Sequence, residues 1–372
     1  MNLKCGIVGL PNIGKSTLFN ALTSSHQAES KNYPFCTIEP NFGTVSVPDN
    51  RLSIIGTLTG SKNLISGKIE FIDIAGLIKG ASQGEGLGNK FLSHIRQVDA
   101  IIYVLRCFQN TEIMHVNGTI DPKRDLETLE TELMLADIQS LTKQLDKIKK
   151  FPQRNTLDTE AITLAEKSLQ VLDEGNSINT IINESNKKNI NIFNLLTSKP
   201  CLYVCNVDEN SIHTGNKYTQ KILDYGKRKN VECITVSAKI EEEIANLPSK
   251  KEKKEFLKEL KLKDSGLNQL ISASYKTLNL ATYFTAGPKE TRAWTIKNGW
   301  NAQKASGVIH SDFEKGFICC EVVGYEDYIK YKSIHALKAV GKVRQEGKHY
   351  PVKDGDIISF KFNVNKNSKF KD

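Results

Sequence analysis

No stretch of this 372-residue chain approaches the ~20 apolar residues that a membrane-spanning helix needs, so none of it is expected to cross a membrane as a helix. The opening run, Met1 to Leu10, is too short and too interrupted for a secretory signal, which points to a cytoplasmic protein. The eight cysteines form no CxxC pair, and no Cys/His cluster has zinc-ligand spacing. Several lie in apolar, strand-like runs, where a thiol behaves as a small buried hydrophobe. A disulfide scaffold and a structural zinc module are therefore not expected.

What is present is an ordinary globular composition. Hydrophobic residues make up 39% and charged residues 25%, which excludes a mostly disordered chain. A mass of 41.6 kDa suggests two or three domains. The formal charge of +9 is unevenly spread: from Leu280 onward there are 16 Lys/Arg against 10 Asp/Glu. That basic tail fits either a polyanionic partner or a solvated face.

Short, apolar, β-rich runs separated by helical stretches predict a parallel sheet with crossovers. They are Lys4–Gly9, Lys68–Ile74, Ala100–Cys107, Cys201–Val207 and Val231–Val236, with a helix over Ser16–Ser24 after the first. Between the third and fourth runs the period changes. Met134, Ile138, Leu141, Leu145 and Ile148 are spaced by three and four, as are Ile162, Ala165, Leu169 and Leu172, with Pro152 between the sets. This predicts an antiparallel helical hairpin inserted into the α/β domain, its apolar stripe either a core seam or a contact arm. Ser249–Lys263 holds seven Lys and three Glu and reads as a solvated helix. From Leu280 short β-like runs with glycine turns predict a small separate β-rich domain, ending in a frayed polar tail.

Gly9-Leu10-Pro11-Asn12-Ile13-Gly14-Lys15-Ser16 fits G-x-x-x-x-G-K-[ST], here after a predicted strand and opening a predicted helix. In that setting the backbone N–H groups of Asn12 to Thr17 cradle phosphate at a helix N-terminus. Lys15 reaches the β/γ-phosphates, and the Ser16 hydroxyl is placed for Mg²⁺. Asp73-Ile74-Ala75-Gly76 ends the next central strand. Its aspartate can hold a magnesium-bound water, and the Gly76 N–H can meet a γ-phosphate. Thr37, between Pro34 and Pro40, is either a nucleotide-dependent Mg²⁺ ligand or an ordinary loop threonine.

Two features depart from a GTPase. Leu77 follows the D-x-x-G glycine, where many GTPases carry the water-orienting glutamine. At the end of the fourth strand stands Asn206-Val207-Asp208-Glu209 in place of N-K-x-D, so the lysine is missing and the fourth residue is a glutamate. This argues against strict guanine selection without proving adenine. Ser237-Ala238, after the fifth strand, fits the loop that closes over a base.

Together GLPNIGKSTLFNAL, YPFCTIEPN, FIDIAGLIKGAS with GEGLGN, RCF with IMHVNG, NVDE, and NLATYFTAG with RAWTI and VIHSDFEKGFI resemble the YchF/Obg-like ATPase family over nearly the whole chain. The resemblance implies an α/β fold: a P-loop G-domain with a mostly parallel sheet over 1–279, a helical insertion at about 125–198, and a C-terminal β-grasp (TGS) domain over 280–364, followed by a polar tail at 365–372. It implies hydrolysis of ATP in preference to GTP and association with the ribosome; the expected protein is a monomeric, Mg²⁺-dependent slow switch whose basic C-terminal region can meet ribosomal RNA. Val207 then contributes to adenine recognition. His115 is the implied water-positioning group; from sequence alone it reads equally as a structural loop histidine. Asn12 stands where related P-loops help bind an activating K⁺. The expected site is thus His115 and Lys15 for catalysis, Asn12, Ile13, Gly14, Lys15, Ser16, Thr17, Gly76, Asn206, Val207 and Ser237 for nucleotide, and Ser16, Thr37 and Asp73 for metal. A GTPase with relaxed base choice, or a nucleotide-gated adaptor with incidental hydrolysis, are the rival readings. Leu280–Val364 is expected to be a separable module.

Overall fold

The computed structural model describes residues 3–25, 41–74, 87–110, 115, 118–150, 156–183 and 185–363. Thr37, Gly76, Leu77 and the polar tail from residue 365 lie outside the described residues. The strands in chain order are β1 (Lys4–Val8), β2 (Asn41–Ser46), β3 (Asn63–Ile65), β4 (Lys68–Asp73), β5 (Ala100–Arg106), β6 (Cys201–Asn206), β7 (Cys233–Val236), β8 (Leu280–Ala286), β9 (Glu290–Lys297), β10 (Phe317–Val323), β11 (Arg344–Glu346) and β12 (Ile357–Phe362). The first five helices are α1 (Lys15–Ser25), α2 (Asn50–Thr59), α3 (Leu87–Arg96), α4 (Pro122–Lys150) and α5 (Thr156–Asp173).

The chain forms two compact units: Leu3–Val45 with Glu70–Thr277, and Ser46–Ile69 with the described residues from Leu278 on. In the first, a six-stranded sheet runs β2-β4-β1-β5-β6-β7. The pairs β1–β4, β1–β5, β5–β6 and β6–β7 are all parallel. Every residue of β5 is buried, as a strand covered on both faces requires, and this is why its sequence AIIYVLR shows no polar alternation. Strand order reverses at β1, which places the loop after β1 in the crevice at the carboxyl ends of the strands.

The helical insertion is the antiparallel pair α4 and α5. Pro122 takes the first turn of α4, where its missing N–H costs no hydrogen bond. Leu141, Leu145, Ala165 and Leu172 are buried together with Met134, Ile138, Ile148, Ile162 and Leu169 packed against them. The apolar stripe is therefore core. Asp137, fully buried, accepts from the backbone N–H of Leu196 and of Thr197 at 2.8 Å each and from the Thr197 hydroxyl at 2.8 Å, which fastens the returning chain to α4. Lys250–Glu259 is helical, and no side chain described there is buried.

The second unit is a mixed sheet, β11-β10-β12-β8-β9-β3. Its first and last long strands, β8 and β12, lie side by side in parallel, as in a β-grasp. Successive residues point to opposite faces, and both faces are buried. One holds Tyr283, Ile296, Val322 and Ile358 under the short helices Ala302–Ser306 and Ser311–Lys315. The other holds Phe284, Ala293 and Ile357 against Leu52 and Ile55 of α2. β3 extends the sheet in parallel register with β9, Leu64 opposite Thr291. Arg51 joins Asp49 at 2.8 Å and Asp354 at 2.6 Å, and Ser61 donates to the Gly287 carbonyl at 2.7 Å.

This corrects the expectation of a separable module beginning at 280. The segment 46–69 supplies one helical layer and one edge strand of the unit, so residues 280–364 alone lack the Leu52 and Ile55 side of the core around Phe284 and Ala293. Trp294, stacked on Tyr283 at 6.4 Å, and Trp300 both pack against the first core, while Phe313 stacks on Phe362 at 3.7 Å. These rings serve packing. No helix among the described residues is long and apolar enough to cross a membrane.

Candidate functional site

Each central strand delivers part of the site at its carboxyl end. After β1, Asn12 takes the left-handed region with φ 62° and Gly14 adopts φ +86°. A Cβ on Gly14 would also lie 2.4 Å from the Asn206 amide nitrogen, so backbone conformation and space both demand glycine. A Cβ on Gly9 would meet the Val104 carbonyl at 2.8 Å and the Ile13 side chain at 2.1 Å, so its absence lets the loop lie flat on β5. α1 begins at Lys15, with Leu18 N–H donating to the Gly14 carbonyl at 3.0 Å. Its N-terminal N–H groups and positive dipole end suit an anion.

Asp73 ends β4 and stands beside Ser16, two of the three expected metal residues, the third, Thr37, lying outside the described residues. One carboxylate oxygen is ion-paired with the Lys15 ammonium, and the other accepts from the Ser16 hydroxyl at 3.2 Å. Both partners of the ion pair have side chains no more than 10% exposed. A hydroxyl and a carboxylate within contact distance form a hard oxygen set, the donor chemistry that suits Mg²⁺.

Asn206 ends β6 and clamps two loops. Its amide donates to the Ile13 carbonyl at 2.7 Å and accepts from Ala238 N–H at 2.9 Å. It thereby ties the phosphate loop to the Ser237-Ala238 turn. A cavity of about 720 Å³ opens beside this clamp, lined by Asn12, Gly14 and Thr17 from one side and by Val207, Glu209 and Ser237 from another. Ser237 is fully buried and caps the helix Ala238–Asn246 without a side-chain hydrogen bond to it. Lys15 and Ser16 are not among the cavity's lining residues, and sit at Asp73.

The two acidic residues after Val207 also border the cavity, and each has a partner of its own. Asp208 caps a short 3₁₀ turn, accepting from Ser211 N–H at 3.0 Å. Glu209 pairs with Lys239 at 2.6 Å on the surface. Neither role is among the sequence-based expectations. The cap has a local signal, Asp208 standing three residues before Ser211, whereas Lys239 has none. Also missed was Phe108-Gln109-Asn110, the segment after β5, which forms a further wall of the cavity.

His115 does not line that cavity. Its Nε2 lies 2.9 Å from an Asp125 carboxylate oxygen, and both side chains are nearly fully buried, at 3% and 4% exposure. Asp125 belongs to the first turn of α4, so the histidine is tethered to the root of the insertion. Among the described residues no group of three or more His, Cys, Asp and Glu side chains is placed to hold a metal ion.

Residues 4–138 match the family model described as a 50S ribosome-binding GTPase, and residues 280–363 match the YchF-GTPase C-terminal model, described as a protein of unknown function. The chain is 50% identical over 370 residues to the ribosome-binding ATPase YchF of Bacillus subtilis, covering 98% of this chain and all of that protein. It is 48% identical over 366 residues to the protein of the same name from Haemophilus ducreyi, with the same coverage. A solved structure of the Schizosaccharomyces pombe YchF GTPase superposes with a TM-score of 0.85 at 40% identity, covering 97% of this chain and 98% of that one.

Proposed function

The chain belongs to the YchF family of P-loop proteins, and on that premise we propose that it is a cytoplasmic, ribosome-binding, Mg²⁺-dependent ATPase, hydrolysing ATP to ADP and phosphate as a slow nucleotide-dependent switch. The relatives' names carry the ATPase and ribosome terms. The base end of the site supports the nucleotide choice. A guanine reader needs a carboxylate aimed at the ring N1–H and the exocyclic amine. Here Asp208 is spent on a cap, Glu209 is paired with Lys239, and a buried Val207 replaces the lysine. That disposition is the observation on which the reading rests. Titration of the purified protein with ATP and GTP tests it. Tighter ATP binding is expected; a clear GTP preference would return the protein to the GTPases.

Lys15 would place its charge on the β/γ-phosphates, and the loop N–H groups from Asn12 to Thr17, with Gly76, would line the phosphate chain. Ser16 and Thr37 would hold Mg²⁺ directly, with Asp73 acting through water. When bound, Mg²⁺ neutralises charge on the phosphates. Asp73, already held by Lys15 and Ser16, stands where it would serve both the metal and the phosphate-facing lysine. His115 takes the water-positioning role in this reading, with Asp125 fixing its ring orientation and tautomer.

The chain path supports a switch. Thr37 and Asp73 flank the segment 46–69, which belongs to the C-terminal unit. The connection between two residues proposed to hold Mg²⁺ thus runs through that unit, giving nucleotide state a covalent route to it.

A further inference from the structure

Arg106, the last residue of β5, is 1% exposed, although arginine is seldom buried to this degree. Desolvation pushes its pKa down. Burying a guanidinium is costly unless its N–H groups are satisfied, so the fold must gain something from the charge. Its Nε donates to the Phe108 carbonyl at 3.3 Å, and Nη2 donates to the Asn110 carbonyl at 3.1 Å. The guanidinium carbon lies 4.8 Å from the centre of the Phe108 ring. The segment after the strand therefore folds back around one planar cation. From outside, Cys107 N–H donates to the Asn206 carbonyl at 2.8 Å, Asn216 donates to the Cys107 carbonyl at 2.7 Å, and Gln109 donates to the Tyr218 hydroxyl at 2.8 Å. The segment fixed in this way, Phe108 to Asn110, is a wall of the 720 Å³ cavity beside Val207 and Glu209.

We propose that Arg106 is a positioning residue for base recognition: it holds Phe108–Asn110 as a preformed wall against which the purine of the nucleotide rests. This builds on the reading of that cavity as the base site. A wall already ordered costs no side-chain or backbone entropy when the base arrives. Lysine cannot replace the guanidinium here, because a point charge on a flexible stem lacks the planar fork that reaches two carbonyls and covers a ring.

The test compares ATP with inorganic tripolyphosphate on the full chain by titration calorimetry. Both use the phosphate loop; only ATP carries a base. In Arg106→Lys, ATP affinity should fall about tenfold while tripolyphosphate affinity stays within about twofold. Phe108→Leu keeps the arginine and removes the ring, and should lower ATP affinity selectively as well; it also serves if Arg106→Lys does not fold. If the ATP advantage over tripolyphosphate survives in the variants that fold, or if both ligands weaken together, the proposal is overturned. A parent protein with no ATP advantage over tripolyphosphate would instead overturn the base-site reading beneath it.

Discussion

The nucleotide-facing edge of the parallel sheet and the sheet of the C-terminal unit both rest on buried cores but are assembled by different rules. At the first, neighbouring parallel strands each deliver a residue or two at their carboxyl ends: the loop after β1, Asp73 at the end of β4, Arg106 of β5, Asn206 of β6 and Ser237 after β7. At the second, one layer and one edge strand come from far earlier in the chain, and the ion pair that secures them joins residues 303 positions apart. A site assembled from strand ends draws each of its residues from a different strand of one sheet. A unit assembled from two distant segments depends on the shared core between them.

The largest expected effect probes that shared core. Ile55 is fully buried against Phe284 and Ala293 in the second core. Ile55→Ala should cost about 2–5 kcal/mol of stability in the C-terminal unit, measured by denaturant melting, with ATP affinity retained. A wild-type melt would show that α2 is not integral to the unit. By the same reasoning a chain truncated before Leu280 strands Leu52 and Ile55 in water, and its loss of ribosome binding would reflect a damaged fold as well as a missing surface.

Lys15→Ala strikes the other region and should separate the two. ATP affinity should fall on the order of a hundredfold, the scale of a lost charge-assisted hydrogen bond, while the C-terminal unit melts unchanged. Wild-type affinity in this variant would remove the phosphate site. Next comes base choice. Val207→Lys with Glu209→Asp should shift preference toward GTP by ~1–3 kcal/mol, read from competitive titration. An unmoved ATP:GTP ratio would place discrimination elsewhere in the cavity.

His115→Ala sharpens the comparison within the first region. If the histidine positions water, turnover falls and KM holds, the signature of an interaction made in the transition state. If the pair with Asp125 serves only to root α4, stability falls and turnover per folded molecule does not.

The smallest effect is a pH dependence. Glu241 is buried beside Gly266, and desolvation raises its carboxyl to about 7. The folded state therefore holds a proton that the unfolded state has lost above about pH 4.5, and stability falls as pH rises from there to about 7. Glu241→Gln should flatten that slope by on the order of 1 kcal/mol, measured by thermal melts at pH values of about 5 and about 8. An unchanged slope would mean that other groups carry it.

These contrasts explain what the sequence could show. The P-loop, Asp73 and the strands β1, β5 and β6 were legible because a buried parallel strand is a continuous apolar run and the loop chemistry is contiguous. The hairpin seam was legible because the spacing of Met134 to Ile148 repeats. α2 and β3 were not, since NRLSIIGTLT carries little amphipathic pattern and its partners lie beyond residue 280. Lys239 escaped for the same reason, its partner Glu209 lying thirty residues away, whereas Asp208 and Arg106 escaped because a short-range bond to a turn N–H or a backbone carbonyl has no distinctive residue pattern. Each acts through a backbone carbonyl, a turn N–H or a side chain brought near only by folding.

The central claim is a nucleotide switch that answers to the ribosome. Single-turnover hydrolysis of ATP by the full chain, monitored with and without purified ribosomes, tests it most directly. Slow hydrolysis alone and a faster rate with ribosomes are expected. Equal rates in both would contradict it and leave a nucleotide-gated binding protein whose hydrolysis is incidental.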